Sequence, residues 1–233
     1  IRLATKITNA NLFVAESEFK LVPAYFKLQH CYYFPPVVGE EYFEANQLLV
    51  PRGGLLNIAW SGTENLKRKG VWDILDAMHL LKARGVSVSL ILAGKRGEAY
   101  PELLRRIAEL GLEGCVEAVG EVTAEEKLSL FAHAKLYLQP SYFEGFGLAT
   151  AEAMAAGCCV ITCDVGEVRN VVGDCGLYIQ PGQPAELAYA VQSLLADQES
   201  VDKLNRKAAQ RMKEFFSFSR KTATLCTVLQ EIT

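Results

Sequence analysis

The chain has 233 residues, with 24 Lys and Arg against 27 Asp and Glu and a formal net charge of −3 at pH 7. That balance excludes a generally basic nucleic-acid binder and leaves open only a local basic site. Hydrophobic residues make up 50% and charged residues 22%, which suits a globular domain with a large core and argues against disorder.

The opening IRLATKITNANLF has neither the apolar core nor the small-residue cleavage site of a secretory signal. It also lacks an initiator Met, so an upstream part of the gene product is expected. ANLFVAESEF reads as a strand entering a loop, KLVPAYFKLQH as a weak helix broken by Pro23, and CYYFPPVV as a strand ending at Pro35-Pro36. GEEYFEANQLLVPRGG reads as a Glu-rich linker closing in Pro-Arg-Gly-Gly. These elements cannot bury their own apolar faces, Leu12, Phe13, Tyr32 and Phe34 among them. They read as the tail of a preceding domain.

From residue 55 onward short apolar runs alternate with helical patterns. LLNIAW (55–60) is a strand. Residues 71–85 follow as a helix with Val71, Ile74, Leu75, Met78 and Leu81 on one face. Next come a strand at 88–94, a helix at 101–110, a strand at 115–120 and a helix at 123–134, where Thr123 with Glu126 forms a capping box. KLYLQPS (135–141) is a strand, GLATAEAMAAG (147–157) a helix and CCVITC (158–163) a strand. EVRNVVGD is a short helix, GLYIQPG a strand, and PAELAYAVQSLLAD a helix with Pro184 in its first turn. Two further helices fill 197–233. The alternation predicts an α/β fold, a parallel sheet with helices on both faces. Strands apolar at nearly every position agree with it. No run approaches ~18 apolar residues, so no transmembrane helix is expected.

Seven cysteines are scattered without a C-x-x-C pair, which predicts reduced, buried thiols in a reducing compartment. Cys158, Cys159 and Cys163 fall in an apolar strand and read as core rather than metal ligands. His30, His79 and His133 have no ligand spacing.

The chemistry concentrates in PSYFEGFGLATAEAMAAG (140–157), at the carboxyl end of the fourth strand of the regular unit. Open α/β sheets bind ligands at that end. Gly145 and Gly147 let backbone amides at a helix N-terminus approach an anion such as a diphosphate. Glu144 and Glu152, with seven residues between them, can bracket the ligand, one on sugar hydroxyls and the other on ribose hydroxyls. The plain alternative is that Glu144 caps the helix and Glu152 is solvated. A second stretch, WSGTENLKRKG (60–70), offers a tight turn at Gly62 and the cations Lys67, Arg68 and Lys69 at the same edge, where a lysine can neutralise a diphosphate. A solvated basic loop is its alternative. Gly94-Lys95 and Gly120-Glu-Val122 follow the next two strands as ordinary turns.

Together these stretches resemble the donor-binding domain of retaining, GT-B-fold glycosyltransferases of the family 4 type, with a Rossmann-like sheet. The resemblance rests on EGFGLATAEAMAAGCCVIT, GTENLKRKG, the turn after LILAG, CVEAVGEV and GLYIQPGQPAELAYAV, in order over about residues 55–200. It implies that residues 1–50 are the tail of an N-terminal acceptor domain plus linker. Residues 51–215 would be the donor domain, and 216–233 a helix crossing back toward the first domain. It assigns Glu144 to the donor sugar and Glu152 to the ribose. Gly145, Phe146, Gly147 and Leu148 form the amide loop on sugar and phosphates, Lys69 meets the diphosphate, Gly62 is the first-loop glycine, and Val122 supplies the base-contacting backbone. Thr63 stands where the family usually has Arg, with Arg68 nearby as a substitute, and Asn170 stands where it often has Glu.

The resemblance implies transfer from a nucleotide-sugar to a saccharide, lipid-linked or other acceptor with retention of configuration, in polysaccharide or glycolipid synthesis. Glu144 and Lys69 would be the catalytic pair, with no cofactor and no metal, in keeping with the absence of an Asp-x-Asp motif. It implies a cytoplasmic protein, peripheral on the inner membrane face through the first domain, with no nucleic-acid partner. The isolated chain is expected to have little or no activity. A nucleotide-sugar-binding or interaction module without turnover is the alternative. A dinucleotide oxidoreductase is disfavoured, since no G-x-G-x-x-G joins a first strand to its helix.

Overall fold

The computed structural model describes residues 10–47, 51–58 and 63–232. The first unit is a short β-α-β arrangement: β1 (Asn11–Phe13), α1 (Glu16–Phe26) and β2 (Cys31–Tyr33). The two strands pair in parallel, Leu12 opposite Tyr32. Phe19 of α1 packs between Phe13 and Tyr33, with ring centroids 6.2 and 6.1 Å away. The expected loop at 16–19 is therefore the first turn of a helix, and that helix runs through Pro23 instead of breaking there. Pro23 removes one N–H, but the segment keeps its other ties. Its N-terminal amides are capped from outside, and Lys27, in the left-handed region, closes the last turn on the Pro23 carbonyl.

The stretch read as a linker also folds. α2 (Glu40–Ala45) buries Tyr42, Phe43 and Ala45. Its glutamates sit on the outer side, so a composition that reads as solvated belongs to an amphipathic turn and a half.

The main unit then alternates strand and helix. β3 (Gly53–Ile58) leads to α3 (Thr63–Arg68) and α4 (Val71–Ala83), followed by β4 (Leu90–Ala93), α5 (Tyr100–Glu109), β5 (Val116–Gly120) and α6 (Ala124–His133). β6 (Ala134–Gln139), α7 (Leu148–Ala155), β7 (Cys159–Cys163), α8 (Val168–Val172), β8 (Leu177–Ile179) and α9 (Pro184–Ala196) continue the pattern. α10 (Gln198–Phe216) and α11 (Phe218–Ile232) close it. The Thr123–Glu126 capping box forms as expected. The basic stretch at 63–68 is helical rather than a loop.

All six strands are parallel, in the order β5-β4-β3-β6-β7-β8. Alternate residues enter two cores. Leu55, Leu136, Leu138 and Ile161 face α4, α5 and α9, whereas Leu56, Tyr137 and Val160 face α2, α6, α7 and α10. Each such Leu or Ile contributes about 1.5–3 kcal/mol by leaving water. The order reverses between β3 and β6. Two neighbouring strands there send their connections to opposite faces, which opens a crevice at their carboxyl ends.

The seven cysteines are free thiols. Cys158, Cys159, Cys163 and Cys175 are buried as expected, but Cys31 and Cys115 are half-buried and Cys226 is exposed. Burial pushes the Cys158, Cys159 and Cys163 thiols up to about 12, which keeps them protonated. No described helix is long and apolar enough to cross a membrane.

Candidate functional site

β3 and β6 deliver their following segments to the crevice from its two sides. After β3, α3 ends at Arg68, and Lys69 and Gly70 turn the chain into α4. After β6, residues 140–147 form a loop that ends at Gly147, the N-cap of α7. The two segments are pinned together, since the Tyr142 N–H donates to the Arg68 carbonyl at 2.8 Å. Gly70, at φ +69°, lies so close to Pro140 that a Cβ would stand 2.1 Å from the Pro140 oxygen. A side chain there would force the two segments apart.

Lys69 and Glu144 meet in this junction. Lys69 Nζ is 2.5 Å from Glu144 Oε1, and the two side chains are 11% and 7% exposed. The same oxygen accepts Gln139 Nε2 at 2.6 Å and Ser141 Oγ at 2.9 Å. Among the described residues, Glu144 Oε2 has the Arg68 guanidinium near it, at 3.8 Å. Arg68 directs its hydrogen bonds elsewhere, donating to the Phe143 carbonyl at 2.8 Å and to Asn65 Oδ1 at 3.4 Å.

Glu144 is also locked from the β7 side. The Glu167 N–H donates to the Gly145 carbonyl at 2.9 Å. A Cβ on Gly166, whose φ is +57°, would stand 1.7 Å from the Glu144 backbone carbonyl oxygen. Gly166 is thus required by close backbone approach.

Glu152, in the second turn of α7, is buried. It does not stand alone: Lys127 Nζ of α6 lies 2.6 Å from Glu152 Oε2. The same ammonium is 5.5 Å from the centre of the Tyr42 ring of α2. Burial opposes the charge on Lys127, yet the hydrogen bond and charge of Glu152 outweigh it and hold the ammonium pKa above its ordinary value. Burial, with Glu152 adding to it, raises the Tyr42 hydroxyl.

The Glu167 carboxylate caps α1. It accepts the Glu16 N–H at 2.9 Å, the Ser17 N–H at 3.4 Å, the Ser17 hydroxyl, and Asn170 Nδ2 at 2.8 Å. Burial opposes ionisation, but these donors hold Glu167 below the usual carboxylate range. Glu167 and Asn170 lie one turn apart, with Asn170 Nδ2 donating to the Glu167 carboxylate.

The other expected residues fall along the same carboxyl edge. Gly62 lies outside the described residues, and Thr63 opens α3. Gly94 closes β4 by donating to the Gly120 carbonyl at 2.8 Å. Lys95 is exposed and Val122 half-buried. A cavity of about 20 Å³ lies beneath, lined by Asn57, Leu66, Gly94, Tyr100 and Gly120 among others. Gly145 is exposed, and a Cβ on it would meet no described atom within 4 Å. Leu148 is exposed at the first position of α7, and Phe146 packs edge-on against Phe216 of α10 at 5.5 Å. Asn57 Oδ1 and Thr150 Oγ1 are buried without a hydrogen-bond partner among the described residues.

The structure therefore brings Lys69, Arg68 and Glu144 together and sets the amides of 145–148 beside them. Glu152 stands on the α6 side with a cation of its own. Sequence reasoning missed Gln139, Lys127 and Tyr42. Gln139 did leave a signal, a lone amide ending the otherwise apolar run LYLQ. Lys127 left none, as one lysine on an amphipathic helix. Chemically, the arrangement offers a cation and the amides of a helix N-terminus to an anion, and a carboxylate oxygen to hydroxyl donors.

Comparison with known proteins gives the fold and the family. The O-antigen chain mannosyltransferase B of Escherichia coli is 37% identical over 133 residues, covering 56% of this chain and 35% of that protein. The chain spans about a third to a half of the length of the curated relatives it matches. A glycosyltransferase from Rickettsia africae ESF-5 superposes with a TM-score of 0.80 at 17% identity, over 99% of this chain and 66% of that one. Anabaena Alr3699/HepE, solved in complex with UDP, gives 0.77 at 20% identity over 99% and 66%. At such identities these likenesses carry the GT-B, Rossmann-like fold alone. The family described as glycosyl transferases group 1 matches residues 63–211, a span that holds Lys69, Glu144 and Glu152, and to that family this chain belongs.

Proposed function

We propose that this chain is the donor-binding half of a glycosyltransferase that moves a sugar from a nucleoside diphosphate to an acceptor with retention of configuration. One observation carries the proposal: Lys69 and Glu144 lie 2.5 Å apart at the strand-order reversal, beside the N-terminus of α7. A diphosphate placed there meets the Lys69 ammonium and the amides of 145–148. Negative charge developing on the leaving group is then stabilised by fixed donors rather than a metal. Glu144 accepts hydrogen bonds from the sugar and Glu152 from the ribose, while Gly94, Lys95 and Val122 border the base. The UDP bound by the Anabaena protein and the mannosyl transfer named for the Escherichia coli relative support a nucleotide-sugar donor.

Residues 1–50 would then belong to an acceptor-side domain. Support comes from the apolar surface that β1 and α1 leave uncovered, with Leu12 46% and Tyr25 82% exposed. Residues 51–215 would be the donor domain and 216–233 the returning helix, which touches the first unit where Tyr32 Oη donates to Glu231 Oε2 at 2.5 Å. A saccharide or lipid-linked acceptor, held at the inner membrane face by that other domain, completes the proposal.

A second reading, a nucleotide-sugar-binding module without turnover, draws on a single fact: both key carboxylates already hold a lysine. The test is a thermal-shift panel of UDP-, GDP- and ADP-sugars with NAD as control. A ligand at 100 times its Kd adds about 2.7 kcal/mol. Stabilisation by a nucleotide-sugar and not by NAD is expected, and the reverse refutes both readings. Transfer by the chain joined to its acceptor-side domain, with the product anomer read by NMR, then separates enzyme from module.

A further inference from the structure

Gln139 ends β6 with its side chain fully buried at the base of the site. Its backbone is fixed by the neighbouring strand: it pairs with Thr162 of β7, and Thr162 Oγ1 donates to its carbonyl at 3.0 Å. Tyr137, two residues earlier and hence on the same face of the strand, donates its hydroxyl to Gln139 Oε1. That bond sets which end of the amide points where. The oxygen is taken by Tyr137, so the NH2 group turns to the site. One N–H goes to Ser141 Oγ at 3.1 Å and the other to Glu144 Oε1 at 2.6 Å. The opposite orientation would set an amide oxygen against a carboxylate oxygen.

Glu144 Oε1 thus accepts from Lys69, Gln139 and Ser141, three donors for the roughly two lone-pair sites of one carboxylate oxygen. Oε2 receives no hydrogen bond from a described residue, its neighbour being Arg68 at 3.8 Å. The two oxygens of one carboxylate are therefore unequal, and the neutral donors Gln139 and Ser141 make them so, Gln139 at the shorter distance of 2.6 Å against 2.9 Å. Lys69 alone would not, since a single flexible ammonium can bond either oxygen.

We propose that Gln139 is a positioning residue for Glu144: its amide, oriented by Tyr137, occupies Oε1 and turns Oε2 toward a hydroxyl of the donor sugar. The proposal rests on the donor-binding reading above.

The experiment measures, on the full chain, the affinity for a nucleotide-sugar and for its nucleoside diphosphate, and compares their ratio across variants. Gln139→Leu keeps the volume and loses the donor. It should shift the ratio against the nucleotide-sugar by about tenfold, while the diphosphate changes by less than about twofold. Gln139→Glu keeps the shape, and its carboxyl donates only when protonated. Facing Glu144, with Lys69 and Arg68 the nearby cations among the described residues, it should regain the sugar preference as pH falls and lose it as pH rises. Tyr137→Phe should move the ratio in the same direction by less, and with Gln139→Glu it decides the matter if Gln139→Leu does not fold. Glu144→Gln is the reference. If it changes the ratio while the Gln139 and Tyr137 variants do not, the proposal is overturned and the donor reading stands. If the wild-type chain binds no nucleotide-sugar, or Glu144→Gln leaves the ratio unchanged, the donor-sugar role of Glu144 fails and the proposal falls with it.

Discussion

Replacing Lys69 by Met separates the structural and ligand-binding parts of the site. Lys69 Nζ lies 2.5 Å from Glu144 Oε1 with the side chains 11% and 7% exposed, so the substitution strands a carboxylate largely out of water. Removing one partner of a buried pair costs about 3–5 kcal/mol. Here Gln139 and Ser141 still donate to the same oxygen and Arg68 stands 3.8 Å from the other. The cost therefore falls at the low end, about 3 kcal/mol, or a fall in Tm of about 6–12 °C for a chain of this size. Lys69→Met with Glu144→Gln leaves no stranded charge, so the pair should cost less than the sum of the singles by about 1–3 kcal/mol. Urea unfolding of the four proteins at neutral pH measures both quantities. In the stable double variant, nucleoside diphosphate affinity should fall far more than nucleoside affinity. A Lys69→Met chain within about 0.5 kcal/mol of wild type, or strictly additive singles, would refute the reasoning from burial. Equal losses for diphosphate and nucleoside would place Lys69 away from the phosphates.

Other positions give independent tests. Glu152→Ala should weaken a nucleoside diphosphate by about 1.5–3 kcal/mol through lost ribose hydrogen bonds. Its 2′,3′-dideoxy analogue should bind the variant and the wild type alike, and an equal loss for both analogues would remove the ribose role. Glu167 has a folded pKa below its usual 4.5, so its contribution is present above that value and fades as pH falls through the folded pKa. Glu167→Gln should cost about 1–2 kcal/mol near neutral pH and progressively less as pH falls below 4.5, which urea midpoints measured from neutral to acid pH will show. Gly166→Ala combines positive φ with a Cβ 1.7 Å from the Glu144 backbone carbonyl oxygen. It should cost at least about 2 kcal/mol and move the Glu144 loop, lowering nucleotide-sugar affinity in a titration.

The parallel sheet and its order of elements were legible because strands covered on both faces leave long apolar runs, and because Gly, Pro and a capping box mark the boundaries between them. Position 23 misled because a proline reads as a breaker locally. What holds α1 together comes from residue 167, far away in the chain, whose carboxylate caps its first turn. α2 misled for a similar reason: three buried side chains, Tyr42, Phe43 and Ala45, decide its state, and the surrounding glutamates hide them. At the site, the spacing of Glu144 and Glu152 marks candidates but not partners. Lys69 is 75 residues from Glu144, and only the pairing of β3 with β6 brings them together. Lys127 reaches Glu152 across two helices by the same kind of long-range placement. Gly145 teaches the reverse lesson. Its lack of a side chain is not explained by contacts with described residues: a Cβ there would stand in open space.

The most direct measurement is an amide NMR titration of the chain with UDP-, GDP- and ADP-sugars. The account predicts that at least one of them produces saturable shifts centred on the amides of Gly145–Leu148 and on Lys69, and that Glu144→Gln reduces them. Shifts centred elsewhere, or no saturable shift at 145–148 with any nucleotide-sugar, would contradict it.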